Sequence, residues 1–131
     1  MVKYTGKNGK EYILRFDMWV MEELTDKYGD IEKGLNQVNN KNVDIVLNVF
    51  ELMAQAGAEY LAEKDGRICK EKITAEGLIS KHSSPGRLVG IMTAIMEAVK
   101  DGRRMQSKDE EDDQIRDGYL EELNKQEQEK N

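Results

Sequence analysis

The rhythm of apolar and polar residues changes at residue 17. From Glu11 to Phe16, Tyr12, Leu14 and Phe16 alternate with Glu11, Ile13 and Arg15, the two-residue period of a strand. Ile13 breaks strict alternation, which predicts a partly covered outer face. Upstream, Val2 and Tyr4 share one side of a second short run, and Asn8-Gly9 between the two runs is a favoured hairpin turn. From Met18 the spacing becomes helical: Val20, Leu24 and Tyr28 fall on one face, with Met21 beside it. Asp17 is placed to cap that helix, because a carboxylate accepts a bond from an orphan N–H of the first turn. Gly29 is placed to end it.

Asp30 predicts a second short helix over 31–38, followed by a loop at "NNKN". The segment 43–64 carries the strongest helical pattern. Asp44, Asn48, Glu51, Gln55 and Glu59 collapse onto one narrow stripe, and almost every other position is apolar. A helix apolar over about two-thirds of its circumference needs cover from several sides, so this is the predicted central helix. After a turn-rich connector, Thr74 is the expected N-cap of a short helix in "ITAEGLISKH". Ser84 and Pro85 open a further one, in which Leu88, Ile91, Met92, Ile95, Met96 and Val99 share a face and Gly102 marks the end.

The pattern therefore predicts a mainly α fold: a small helical domain of four to five helices with an N-terminal β-hairpin, over 1–102, and an acidic C-terminal extension over 103–131. The extension is expected to be partly disordered or conditionally helical. Its apolar residues Ile115, Tyr119, Leu120 and Leu123 form one weak stripe, too little to offset the entropy of ordering alone.

Composition sharpens this. The 131 residues are 38% hydrophobic and 35% charged, enough for one small core. Net charge is -6, and the acid is uneven: 14 basic face 16 acidic residues in 1–102, against 6 and 10 in 103–131. That balance opposes nucleic-acid binding, which needs a local excess of Lys and Arg, and adhesion to an anionic membrane. A single cysteine, Cys69, excludes an internal disulfide and suggests a reducing compartment. With no apolar leader in "MVKYTGKNGKEY" and no spanning run, the expectation is a cytosolic chain.

No residue set points to catalysis, a metal or a cofactor. His82 is the only histidine and has no ligand spacing around it. Cys69 has no companion base, and the paired carboxylates Glu22-Glu23, Glu110-Glu111 and Asp112-Asp113 read as solvated charge. A helix-turn-helix over 73–96 would carry almost no basic residues on its recognition helix. What remains is surface. Trp19 projects about 150° from the apolar face of its helix, among Glu22, Glu23 and Asp26. Either the hairpin folds over it or it serves an interface, where tryptophan is enriched. Seven methionines add adaptable apolar area, with Met18 beside Trp19 the best placed for a partner.

The order of parts resembles the bacteriophage tail assembly chaperones, the tape measure chaperones of long-tailed phages or prophages. The resemblance is carried by Leu14-Arg15-Phe16, by Glu23-Leu24 with Tyr28-Gly29, by the long helix at 43–64, by Thr74-Ala75-Glu76, and by the helix from Pro85. It spans about residues 9–101. It implies a non-enzymatic protein of the bacterial cytoplasm that holds the tape measure protein, helps recruit tail tube protein subunits, and is absent from the mature virion. No cofactor, nucleic acid or membrane is implied, and self-association stays open. The partner surface implied here is Phe16, Met18, Trp19 and Met21 with the tail stripe Ile115, Tyr119, Leu120 and Leu123. Alternatives are a small structural virion protein (a head–tail connector or tail completion protein) and a small DNA-binding regulator.

Overall fold

The structure is a computed structural model that describes residues 1–116, with side chains through Arg104. Of the proposed tail stripe, Tyr119, Leu120 and Leu123 lie outside the described residues, and Ile115 lies where side chains are not described. The described elements are β1 (Val2–Thr5), β2 (Glu11–Leu14), α1 (Met18–Tyr28), α2 (Ile31–Asn39), α3 (Val43–Lys64) and α4 (Pro85–Arg116).

The hairpin forms as its turn chemistry dictates. β1 and β2 pair antiparallel with Tyr4 opposite Tyr12 and Val2 opposite Leu14. Gly9 takes φ +80°, a conformation that an L side chain adopts only at a cost. The Asn8 side chain closes the turn by accepting from Lys10 N at 3.1 Å. Asp17 and Asp30 cap α1 and α2 through bonds from Val20 N and Lys33 N, at 3.1 and 2.7 Å. Asn42 does the same for α3.

One core unites these elements. Tyr12, Leu14 and Phe16 turn inward from the β2 side, meeting Val20 and Leu24 of α1, Leu35 and Val38 of α2, Phe50 and Met53 of α3, and Ile91 and Ile95 of α4. Phe50 is fully buried, and the rings of Tyr4 and Tyr12 meet it edge-on at 5.5 and 5.1 Å. Edge-on contact suits the aromatic quadrupole.

β2 lies directly on α3 and α4, and two glycines make this possible. A Cβ on Gly57 would stand 1.9 Å from the Ile13 carbonyl oxygen, and one on Gly102 2.3 Å from that of Phe16. Arg15 N donates to Met53 O at 3.1 Å, so the strand edge is tied to the helix backbone. This contact explains the half-burial of Ile13. It also corrects the expected helix end at Gly102: α4 continues to Arg116. Gly102 is present for the close approach of Phe16.

The short helix expected after Thr74 is absent, leaving four helices among the described residues. A turn at 76–78 stands there, with Leu78 N bonded to Ala75 O and Gly77 at φ +86°. The cause lies in α3. Glu51 Oε1 accepts from Ala75 N at 2.7 Å, and Gln55 Oε1 accepts from Ile73 N at 2.8 Å while its Nε2 donates to Glu71 O at 3.0 Å. The Gln55 amide thus presents a donor and an acceptor to an extended segment as a neighbouring strand would. The polar stripe of the central helix is therefore partly a clamp for the connector. Replacing Gln55 by Ala removes both bonds to 71–73 and is expected to cost about 1–2 kcal/mol. Urea unfolding should show the lower midpoint, and hydrogen exchange should quicken at the Ile73 amide while the α3 core keeps its protection.

Near the far end of the described side chains, Arg104 donates to Asp101 at 2.6 Å. That bond holds the Asp101 carboxyl below the usual aspartate value, and the Met1 amino group at 3.9 Å adds to the effect. A carboxyl depressed in the folded state stabilises the fold above its unfolded pKa, and that contribution is lost as pH falls through the folded value. Arg104→Gln is expected to move the Asp101 titration back toward the ordinary range, read by carbon-detected NMR.

Candidate partner-binding surface

The surface around Trp19 begins with the end of β2. Leaving the strand, Arg15 and Asp17 point the same way because they are two residues apart in extended chain. Their side chains form an ion pair at 3.4 Å between Arg15 Nε and Asp17 Oδ2. The geometry is short of a hydrogen bond, so Arg15 Nε is buried without a hydrogen-bond acceptor. The guanidinium carbon lies over the Tyr60 ring of α3, 3.7 Å from its centroid. Cation–π contact offsets part of the desolvation of that charge.

Asp17 has a second task, since its carboxylate caps α1 and fixes the first turn that carries Met18 and Trp19. Trp19 keeps 37% of its surface in water and Met18 85%. Trp19 is therefore only partly covered. Its ring borders a cleft of about 640 Å³ shared with Arg15, Tyr60 and Ala56, and rimmed by Glu59, Glu63 and Lys64. Two aromatic rings, a half-buried arginine and, next to Trp19 in the chain, a flexible thioether are side-chain types that carry much of the binding energy at interfaces. The cleft suits an apolar side chain packed beside the half-buried Arg15 guanidinium and the Tyr60 ring.

The sequence-predicted residues divide here. Trp19 lines the cleft, Met18 next to it in the chain is exposed outside the lining, and Met21 is half-buried. Phe16 is buried at 8% exposure against Gly102 and belongs to the core. Arg15 and Tyr60 were missed. The Arg15 signal was its position two residues before an N-cap. Nothing local marked Tyr60, which arrives from 45 residues away.

A second apolar area lies on α4, where Val89, Met92 and Met96 line a shallow groove of about 370 Å³. Met53, in contrast, is fully buried. His82 is exposed in a turn, and the half-buried Cys69 thiol faces Glu71 O at 3.6 Å. Among the described residues no group of three or more His, Cys, Asp or Glu is arranged to hold a metal ion, and no helix is long and apolar enough to cross a membrane. The chain matches no known protein family, no curated protein and no solved structure.

Proposed function

We propose that this chain is a non-enzymatic phage tail assembly chaperone. It binds the tape measure protein in the bacterial cytoplasm and assists recruitment of tail tube protein subunits. One observation carries the reading: a capped first helix holds Met18 and Trp19 outward beside the Arg15–Tyr60 cleft. A protein that shields a long helical client needs adaptable apolar area on a rigid base, and enough charge to keep the complex in solution. The net charge of -6 supplies the latter. The groove on α4 adds apolar area for the client or for self-association.

Co-expression with the tape measure protein encoded in the same genome tests the reading. The expected result is a client that stays in the soluble fraction and co-purifies with this chain, while purified particles lack the chain. Recovery of the chain in finished particles would favour a structural head–tail connector or tail completion protein. Retention on duplex DNA that falls steeply with salt would favour a regulator.

A further inference from the structure

The largest cleft among those described lies elsewhere, between the open edge of β2 and the extended connector at 67–74. We propose that it binds an extended, acidic peptide segment of another protein as a strand added to β2. This goes beyond the chaperone reading and does not rest on it.

The first observation is the strand edge. Arg15 N and Ile13 O on the outer side of β2 are engaged by α3. In an antiparallel pair alternate residues turn their peptide groups outward, which places Glu11 on that same edge. The Glu11 N–H and C=O and the Ile13 N–H meet no backbone partner among the described residues. Glu11 C=O and Ile13 N–H repeat the spacing of the pair that Gln55 satisfies at Glu71 and Ile73. An open edge of this kind accepts a further strand.

The second observation is the space beside it. A cleft of about 700 Å³ separates that edge from the connector, floored by half-buried Ile13, Leu61 and Ile73. It can take the alternate apolar side chains of an extended peptide.

The third observation is charge. Lys10, Arg67, Lys70 and Lys72 line the cleft against Glu11 and Glu71, in a chain that is -6 as a whole. Glu11 already pairs with Lys3 at 3.8 Å, and Arg67 with Asp65 at 3.1 Å. Lys10, Lys70 and Lys72 are exposed and carry no ion pair among the described residues. The rim therefore favours carboxylates on the incoming segment. A nucleic acid fits less well: a phosphate chain offers no N–H to the Glu11 carbonyl, and the one aromatic residue in the lining, Tyr12, is buried.

The full chain is titrated with fluorescein-labelled peptides of alternating Glu and Val, with Gln-Val and Lys-Val counterparts, and with a labelled oligo-dT. Anisotropy reads affinity, and amide hydrogen exchange reads the Glu11 and Ile13 positions. The expected result is saturable Glu-Val binding at low salt, new protection at those two amides, and at least about tenfold weaker binding of the Lys-Val peptide. Lys70→Glu combined with Lys72→Glu, two exposed changes, should weaken Glu-Val binding by about tenfold without moving the urea midpoint. The proposal is overturned if Glu-Val fails to bind, if Lys-Val binds equally, if binding leaves the two amides unprotected, or if oligo-dT binds more tightly than Glu-Val.

Discussion

Gly57→Ala is expected to destabilise the protein more than any other single methyl addition considered. In the middle of a helix the change should be favourable, since alanine exceeds glycine in helix propensity by about 1 kcal/mol. Here the new Cβ would stand 1.9 Å from Ile13 O and 2.7 Å from its carbonyl carbon. Those atoms are backbone of β2, so no flexible side-chain end can yield. Overpacking a filled site costs about 1–3 kcal/mol and sometimes more, and a net loss near 3 kcal/mol is expected. For a domain whose whole stability is about 5–15 kcal/mol, that is a large fraction. Gly102→Ala meets Phe16 O at 2.3 Å and should behave likewise with a smaller loss. Gly90 supplies the opposite control. Nothing lies within 4 Å of a Cβ there, so Gly90→Ala should stabilise α4 by the propensity gain alone. Urea unfolding of the three variants, with unchanged m-values, reads all three signs. A neutral Gly57→Ala would mean that β2 does not rest on α3 as described.

Trp19→Ala is expected to leave a folded protein that has lost most of its hold on the proposed client. The ring is 37% exposed and sits at the border of the Arg15–Tyr60 cleft, so its removal takes little from the central core. Truncating a central aromatic at an interface costs about 2 kcal/mol or more, roughly a thirtyfold loss of affinity. Phe16→Ala is the counterpart. Phe16 is buried at 8% exposure, so its truncation should lower stability by about 3–5 kcal/mol and weaken binding only through loss of fold. Affinity for the tape measure protein and urea midpoints, measured on both variants, separate the two roles. If Trp19→Ala unfolds the chain, or binds the client as well as the parent does, the surface has been misassigned.

These two predictions draw on different depths of the chain. Trp19 was legible as an outward residue because helical spacing alone places it about 150° from the Val20–Leu24 face. Its companions in the cleft were not. Arg15 reads as an ordinary polar strand residue until Tyr60 is brought beneath it, 3.7 Å from the guanidinium. Phe16 was grouped with Met18, Trp19 and Met21 on the partner surface. The fold turns it the other way, onto Gly102.

The same division runs through the whole molecule. The sequence by itself determined the hairpin turn, the aspartate caps of α1 and α2, the limits of α3, and the inward face of β2. Each depends on interactions that reach across four residues or fewer, or on a simple repeat. The tertiary structure decided what Gly57 and Gly102 are for, why no helix follows Thr74, and that Glu51 and Gln55 serve a connector 16 to 24 residues away. Those outcomes depend on which backbone comes to lie against which helix. A glycine that ends a helix and one that admits a strand read identically in sequence, because the neighbour that distinguishes them is supplied by the fold.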